Sequence, residues 1–259
     1  MGDGGFIMGV SLILNLWSAL RIRKASNFDK AETPKAIPRR IHQLWIPPSH
    51  LEAIPDDVRP QVGAWKNYHP DFEHRIWTIE EVAASIPAQS AARMTEALKV
   101  CRFEAMKADI VRLYLLYEHG GFWSDLKVFP RRRWLDEYLD SELLLVEHFK
   151  FEQLPNPTGV LTNNLIGARS KNPFIGACIE RVHANIDRRL STTVWHVAGI
   201  KIYMDIYEEW RSSYGQSPPG VVLTWDYVWS ELVGLGYGSY SADHRHWSVR
   251  EKNEPIYLE

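Results

Sequence analysis

One stretch of the chain, residues 103–129, restricts the possible fold more than any other. Apolar side chains recur there at steps of three and four residues, the helical period, at Phe103, Met106, Ile110, Leu113 and Tyr117. The pair Gly120-Gly121 ends this predicted helix, and Phe122–Phe129 then predicts a strand. A helix that leads directly into an apolar strand favours a sheet packed against helices.

The rest of the chain alternates in the same way. Further strands are predicted at Ile41–Ile46, His74–Trp77, Leu143–Val146 and Leu161–Ala168. Further helices are predicted from the capping box at Thr78, from Asn172 to about Arg189, and from Gly199 to Arg211. This alternation indicates an α/β fold with a mainly parallel sheet. The sequence has no glycine-rich phosphate loop and no dinucleotide-binding fingerprint, so a phosphate would have to be bound by other groups.

Composition excludes several classes of protein. Of the 259 residues, 45% are hydrophobic and 24% are charged, which is typical of a globular domain and not of a disordered, collagen-like or multi-span membrane chain. The formal net charge of -2 gives no basic excess for binding a nucleic-acid backbone. Cys101 and Cys178 lie among apolar or helix-forming residues and are expected to be small buried side chains, which favours a reducing, cytoplasmic location.

The amino-terminal segment is expected to be separate from the folded body. Residues 4–20 carry no charge and precede a basic flank, but they are too few and too polar for a clear membrane span. They are compatible with a helix packed on the domain, with an interfacial helix that makes a peripheral membrane contact, or with a marginal anchor. Residues 25–38 have the composition of a linker. We therefore divide the chain into residues 1–36, an N-terminal helix and linker, and residues 37–259, one globular domain.

The densest polar cluster begins with two charged residues on the predicted helix. Asp109 and Arg112 are three residues apart, so they are neighbours on one face and can pair. Asp125 and Lys127 are two residues apart on the following predicted strand and are expected on the same side of the sheet. Charged groups at a strand end are where an α/β fold usually binds its ligand. The alternative is an ordinary ion pair beside a solvated strand end.

Three motifs, in their order along the chain, resemble those of a known enzyme family. Ala108–Asp125 is similar to the pattern A-D-x-x-R-x-x-x-L-x-x-x-G-G-[IF]-[YW]-x-D, which continues in the family as x-D. Upstream, Ile37–Trp45 is similar to the opening strand I-P-K-x-I-H-x-x-W, and Trp65–Trp77 to a W…N-P-x-[YF]…W stretch. Residues 37–130 thus resemble the DXD-containing sugar transferases of glycosyltransferase family thirty-two.

This resemblance implies a fold and an activity. The fold is GT-A, a single Rossmann-like domain with a mainly parallel central sheet and helical additions. The activity is transfer of a sugar, with retention, from a nucleotide-diphosphate sugar (a UDP- or GDP-sugar). Relatives include fungal Golgi α-mannosyltransferases, bacterial capsule enzymes and glucosylating toxin domains. The implied acceptor is a glycan, a glycolipid or a protein, in polysaccharide or cell-surface glycan biosynthesis.

The resemblance also implies roles for five residues. Trp45 would stack on the nucleotide base, and Asp109 and Arg112 would hold hydroxyls of the donor sugar. Asp125 matches the first Asp of the DXD motif, which contacts the ribose and the metal. Asn163 is similar to an asparagine near the donor sugar. Asp109, Arg112 and Asp125, together with Lys127, are therefore the candidate catalytic residues.

The tail of the chain has a looser similarity to the family. His244, His246, Trp247 and Ser248 resemble the closing H-x-x-x-S-W element with a compressed spacing. In the family that element supplies a metal ligand, here His246, and a tryptophan that closes over the donor, here Trp247. With Asp125, His246 would complete the protein's share of a metal site.

The chain departs from the family at the second Asp of the DXD motif. Lys127 replaces this main protein ligand for Mn²⁺ or Mg²⁺, and a protonated lysine cannot ligate a cation. Lys127, together with Arg131–Arg133, could therefore replace the metal as the cationic group on the leaving diphosphate. Alternatively, a metal persists through Asp125 and the tail histidines, or the protein binds the donor without turning it over.

Three functions compete on these residues. The first is an active, retaining glycosyltransferase that uses front-face displacement, as the family implies. The second is a catalytically silent nucleotide-sugar-binding or scaffold protein of a glycan assembly complex. The third, a metal hydrolase built on Asp125, His244 and His246, ranks far behind because no short ligand motif supports it.

Overall fold

The structure, a computed structural model, describes residues 36–48, 51, 53–147, 161–242 and 246–258. The amino-terminal segment with its alternative membrane contacts, and His244, lie outside these ranges. None of the helices within the ranges combines the length and apolar composition that crossing a membrane requires. The domain boundary between residues 36 and 37 stays a prediction.

Eight strands are described, in two sheets. They are β1 Arg40–Leu44, β2 Glu73–Trp77, β3 Gly121–Ser124, β4 Val128–Pro130, β5 Leu143–Glu147, β6 Leu161–Ala168, β7 Val221–Leu223 and β8 Val233–Leu235. The main sheet has the order β2-β1-β3-β6-β5-β7, and β4 pairs with β8. In the main sheet β1 runs parallel to β2 and β3, and β7 runs parallel to β5. Only β6 is antiparallel to its neighbours, so the predicted α/β class with a mainly parallel sheet is confirmed.

Helices cover the main sheet. They are α1 Arg59–Tyr68, α2 Ile79–Ser85, α3 Ala88–Lys99, α4 Glu104–His119, α5 Pro173–Asp187, α6 Val194–Val197, α7 Ile200–Tyr214, α8 Trp225–Tyr227 and α9 Trp247–Arg250. The cap residues predicted from the sequence begin their helices: Thr78 forms a capping box with Glu81, and the Asn172 side chain accepts from the backbone of α5. Cys101 and Cys178 are fully buried, as expected.

The central helix α4 is fixed to the sheet by a buried histidine. His42 of β1 donates from Nε2 to the carbonyl of Gly120 (2.8 Å), and its Nδ1 accepts from Trp77 Nε1 of β2 (3.0 Å). Because Nδ1 must stay unprotonated to accept, the ring is held neutral. Burial lowers the pKa of His42 to about 4, which is consistent with this role.

The predicted strand Phe122–Phe129 is interrupted at residues 125–127: Phe122–Ser124 lie in β3, and Val128 and Phe129 belong to the separate strand β4. Strand β3 ends at Ser124, and residues 125–127 form a turn in which the Val128 amide donates to the Asp125 carbonyl (2.9 Å). Leu126 in this turn is buried and packs with Val58 and Val62 at the start of α1. Because this buried residue lies between the polar residues Asp125 and Lys127, the local sequence alternates as a strand does. Asp125 and Lys127 therefore project from a turn and not from one face of the sheet.

The turn between α4 and β3 generates a stability prediction. Gly120 has φ of 63°, and a Cβ there would lie 2.6 Å from the Ser170 amide nitrogen. We expect Gly120→Ala to lower the free energy of unfolding by about 1–3 kcal/mol, because both the backbone conformation and the contact become strained. Gly63→Ala is the control, since a Cβ there meets nothing within 4 Å, and it should be neutral or stabilising by up to about 1 kcal/mol. Urea unfolding checks both, and equal shifts for the two variants would contradict the prediction.

Candidate functional site

A buried guanidinium joins three parts of the fold. Arg112 of α4 lies with its Nη2 3.1 Å from Oδ1 of Asp109 and 3.1 Å from Oδ1 of Asp125. Its Nη1 donates to the carbonyl of Asn163 on β6 at 2.5 Å. Burial alone would lower the pKa of Arg112, but the two carboxylates raise it, so the side chain stays charged. Four residues singled out from the sequence therefore meet in one network.

Asp125 is held from one side and open on the other. Its Oδ1 also accepts from Trp123 Nε1 (2.8 Å), and its backbone amide donates to the carbonyl of Asn164 (2.9 Å). The Arg112 guanidinium lies 4.8 Å from the centre of the Trp123 ring. These contacts fix the carboxylate, while 40% of the Asp125 side chain remains exposed to a ligand.

Asp109 is the most deeply buried acid of the network. Its side chain is 8% exposed, and its Oδ1 accepts from Nδ2 of Asn163 at 2.9 Å as well as from Arg112. Burial raises the pKa of Asp109 to about 7, although Arg112 acts in the opposite direction. A carboxyl group with such a pKa is typical of binding or catalytic sites.

The other candidates form a second cluster, which is aromatic and cationic. The ring of Tyr240 lies 6.0 Å from that of Trp45 and 6.1 Å from that of His246, which in turn lies 5.6 Å from Trp247. Lys127 Nζ lies 5.8 Å from the centre of the Tyr240 ring. The carboxyl-terminal segment thus contacts the turn that follows β3, since Tyr240 lies 113 residues after Lys127.

His246 is partly engaged within its own segment. Its Nδ1 lies 2.9 Å from Oγ of Ser248 and accepts from the Ser248 amide, which caps α9. Burial lowers the pKa of His246, and the positive charge of Lys127 lowers it further. His246 and Lys127 both lie beside the ring of Tyr240.

The three arginines proposed as part of a cationic clamp have other partners. Arg131 donates from Nε to a carbonyl of β8, and Arg132 and Arg133 form ion pairs with acidic side chains. The partners are Val233 (2.9 Å) for Arg131, Glu137 (2.5 Å) for Arg132, and Asp71 (2.9 Å) and Asp136 (2.6 Å) for Arg133. These contacts engage the three arginines within the fold and do not support them as part of the clamp.

The donor set does not fit a divalent cation. In the part of the chain that the structure describes, no group of three His, Cys, Asp or Glu side chains is placed to hold a metal ion. Asp125 already accepts from the cation Arg112, and His246 lies close enough to Lys127 for that charge to lower its pKa. Two fixed positive charges at these donors disfavour a third.

Sequence reasoning missed two aromatic members of the site. Tyr240 lies in a tail without periodicity, and only the fold shows that its ring meets Trp45 and Lys127. Trp123 stands inside the recognised motif, but its hydrogen bond to Asp125 depends on the bend after β3.

Comparisons with known proteins agree with the motifs. Residues 55–145 match the family model described as a glycosyltransferase sugar-binding region containing a DXD motif. The matched region includes Asp109, Arg112, Asp125 and Lys127 and stops short of Asn163 and the tail. The resemblance to DXD-containing sugar transferases is therefore confirmed.

Two curated relatives and one solved structure are representative. Inositol phosphoceramide mannosyltransferase 3 of Schizosaccharomyces pombe is 31% identical over 143 residues, which are 54% of this chain and 35% of that protein. An uncharacterized glycosyltransferase of Acanthamoeba polyphaga mimivirus is 24% identical over 177 residues, 68% of this chain and 67% of that protein. The structure titled PaToxG Glycosyltransferase superposes with a TM-score of 0.49 and 14% identity over 79% of this chain and 80% of that one. The matched part of this chain thus spans only about a third of the length of the Schizosaccharomyces pombe relative.

The raised pKa of Asp109 generates a prediction about stability. The folded state holds this proton up to about pH 7 and the unfolded state only to about 3.8, so the Asp109 contribution to the free energy of unfolding falls as the pH rises between these values. In Asp109→Asn this contribution does not titrate. We expect the stability of the variant relative to wild type to increase by up to about 1.4 kcal/mol per pH unit from pH 5 to 7 and to level off above.

Urea unfolding at pH 5, 6, 7 and 8 tests this expectation. Asp140→Asn, at an exposed position, is the control and should follow the wild-type curve. Parallel curves for wild type and Asp109→Asn would contradict it.

Proposed function

We propose that this chain, whose residues 55–145 match the sugar-binding region of DXD-containing glycosyltransferases, is a retaining glycosyltransferase that uses a nucleotide-diphosphate sugar. The observation that carries the proposal is the network around Arg112, in which two carboxylates and an amide from separate elements lie within 3.1 Å of their partners. Such a preorganised set of donors and acceptors is suited to a polyhydroxylated ligand.

The network would hold the donor sugar. Asp109 and Asn163 offer acceptors and donors for hydroxyl groups at the buried end of the site, and Arg112 supplies N–H donors. Asp125, exposed toward solvent, would accept from the ribose of the nucleotide. Because the positions of these groups are fixed by one another, little reorganisation would accompany binding.

The aromatic cluster would hold the nucleotide. Trp45 offers a flat surface to the base, Trp247 would close over the donor, and Tyr240 lies between their segments. Stacking of a base on an aromatic ring contributes about 1–3 kcal/mol to nucleic-acid binding and suits any base. This arrangement therefore leaves the choice between UDP and GDP open.

Lys127 would neutralise the diphosphate. Lys127 lies in the turn after β3, two residues after Asp125. It occupies the position at which the second Asp of the DXD motif would contribute a metal ligand in the family. A preorganised ammonium group stabilises the negative charge that develops on a leaving diphosphate, as a metal would. Metal-independent transfer is consistent with the cations that already surround Asp125 and His246.

Retention would follow from front-face displacement. The acidic side chains of the network are committed to Arg112, which disfavours either of them as a nucleophile. The contribution of the protein would be positioning and electrostatics, with the leaving phosphate helping to deprotonate the acceptor. The anomeric configuration of the product, measured by NMR, distinguishes retention from inversion.

The acceptor is a glycan, a glycolipid or a protein. The names of the fungal relatives make a mannosyl donor and an inositol phosphoceramide acceptor the first pair to test. A cytoplasmic location with a peripheral membrane contact remains the prediction made from the sequence.

The second candidate is a catalytically silent nucleotide-sugar-binding protein. The replacement of a metal ligand by Lys127 favours it, because a site that loses its metal can retain the donor and lose turnover. A calorimetric screen of UDP, GDP and their sugars, in excess EDTA and then in Mn²⁺, tests both candidates together with an assay for transfer to acceptor and for donor hydrolysis.

The outcomes of this screen separate the candidates. Binding that ignores EDTA, with sugar transfer, supports the enzyme with Lys127 in place of the metal. Saturable binding without turnover identifies the silent protein. Binding that appears only with Mn²⁺ restores a metal site and refutes the role of Lys127.

Asp125 provides a test of the site assignment. We expect Asp125→Asn to lower kcat/KM for transfer by at least about 100-fold, because a fixed, partly desolvated contact to the donor is lost. The fold should persist, since Arg112 keeps its pair with Asp109. Asp140→Asn should retain wild-type activity, and an unaltered kcat/KM in Asp125→Asn would refute the assignment.

Lys127 provides a test of the metal replacement. We expect Lys127→Met to lower kcat by about 10- to 100-fold with a smaller change in donor affinity, because the ammonium acts on charge that develops during transfer. Lys127→Asp should make any remaining activity dependent on Mn²⁺, as it restores the second Asp of the motif. Lys252→Met, at an exposed position, is the control. Equal losses in binding and turnover for Lys127→Met would show that the group only anchors the donor.

A further inference from the structure

The network around Arg112 leaves one N–H group of the buried guanidinium over. Nη1 donates to the carbonyl of Asn163 at 2.5 Å, and Nη2 lies 3.1 Å from Oδ1 of both Asp109 and Asp125. Nε is buried as well, but it has no hydrogen-bond partner within residues 36–48, 51, 53–147, 161–242 and 246–258. A buried donor on a charged group is costly to leave unpaired, so the guanidinium needs one more acceptor.

A second buried polar group without a partner lies on α7. Tyr203 is completely buried, and its ring lies 6.4 Å from that of Phe174 on α5. Its hydroxyl finds no hydrogen-bond partner in the described part of the chain either. The hydroxyl group of a buried tyrosine usually has a partner. Because a phenolic oxygen can accept a hydrogen bond, this group can serve a donor such as Nε.

These two groups are neighbours in the fold. Helix α7 begins beside the network, since a Cβ added at the preceding Gly199 would lie 3.1 Å from Oδ2 of Asp109. Tyr203 lies about one helical turn further along α7. Its hydroxyl is close enough to the guanidinium to contribute, as a hydrogen-bonding group, to the raised pKa of Arg112. The missing acceptor of Arg112 and the missing partner of Tyr203 therefore lie at the same place.

The Tyr203 hydroxyl keeps its proton at this place. Burial raises the pKa of Tyr203 well above its usual value, and the charges of Asp109 and Asp125 act in the same direction, although Arg112 opposes them. The neutral hydroxyl adds no charge to the network and leaves an oxygen lone pair for a cationic donor. A hydrogen bond between the two groups would remove the cost of both unpaired atoms at once.

We propose that Tyr203 is a positioning residue of the site: its hydroxyl oxygen accepts from Nε of Arg112 and thereby fixes the plane of the guanidinium. The partners of Nη1 and Nη2 hold the end of this planar group, and a bond at Nε holds it nearer the aliphatic stem. The inference rests on the proposed function, in which Arg112 offers N–H donors to the donor sugar. Tyr203 sets the direction of these donors without contacting the sugar itself.

The variant Tyr203→Phe tests the proposal, because it removes the hydroxyl and keeps the buried ring. Tyr114→Phe is the matched control: Tyr114 is also buried, but its hydroxyl lies 2.8 Å from Nε2 of His183, outside the network. Calorimetry would compare the nucleoside diphosphate and the nucleotide sugar that wild type binds. We expect Tyr203→Phe to bind the nucleotide sugar at least about tenfold more weakly and the nucleoside diphosphate within about twofold of wild type. Tyr114→Phe should bind both as wild type does.

A double-mutant cycle distinguishes positioning through Arg112 from a structural role of the ring. Arg112→Lys keeps the positive charge and lacks the Nε–H group of the guanidinium. If Tyr203 acts through that group, Tyr203→Phe should have no further effect on nucleotide-sugar affinity in the Arg112→Lys background. The same tenfold loss in both backgrounds would show a structural role and overturn the proposal.

NMR of the arginine side chains tests the hydrogen bond itself and needs no ligand. The Nε–H resonance of Arg112 is assigned as the one that Arg112→Lys lacks. In wild type we expect a through-space contact between this proton and the ring protons of Tyr203. In Tyr203→Phe the same Nε–H should exchange with water at least about tenfold faster, and in Tyr114→Phe at the wild-type rate. The through-space contact is read in wild type, so it decides the question even if a variant does not fold.

Other outcomes overturn the proposal or the function on which it rests. An Nε–H without a contact to Tyr203, or with the wild-type exchange rate in Tyr203→Phe, refutes the hydrogen bond. Equal affinity losses in Tyr203→Phe and Tyr114→Phe show a general effect of removing a buried hydroxyl. If wild type binds neither nucleotides nor nucleotide sugars, the proposed function fails, and NMR still decides whether Tyr203 holds Arg112.

Discussion

The charge of Arg112 is the interaction on which the site depends. A buried guanidinium needs both opposite charge and acceptors for its N–H groups, and Asp109, Asp125 and the carbonyl of Asn163 supply them to the two Nη atoms of Arg112. These partners belong to α4, to the turn after β3 and to β6. Because removal of the cation would leave Asp109 buried without its counter-charge, the network is cooperative and fixes the relative positions of the three elements.

The sheet topology explains why these elements meet. Strand β3 lies between β1 and β6 in the main sheet, and Gly120 alone separates it from the end of α4. The His42 contacts to Gly120 and Trp77 tie that turn to β1 and β2. Asp125 consequently lies next to Arg112, which is 13 residues earlier in the chain, and next to β6, which comes later. The scaffold thus holds the donor and acceptor groups before any ligand binds.

The positive charge at Lys127 changes the chemistry that the family motif would support. With Arg112 beside Asp125 and Lys127 beside His246, the described donors are already compensated by cations. Under the proposed function, a diphosphate would suit such surroundings better than a divalent ion, because its charge has the opposite sign. Fixed protein charges also need no separate ligand to be in place when the leaving group departs.

The sequence determined many of the helices and strands and singled out the residues that meet around Arg112, because helical periodicity, cap residues and short-range spacing are local properties. The helix that carries Asp109 and Arg112 is confirmed, as are the capping box at Thr78 and the strand Leu161–Ala168. The predicted strand through Lys127 was wrong because a buried turn residue has the same apolar alternation as a strand. The contact of Tyr240 with Lys127 and the close approach of Gly199 to Asp109 arise between segments distant in the chain. Only the tertiary structure decided them, since the packing that creates such contacts is set by the whole fold and leaves no pattern in the local sequence.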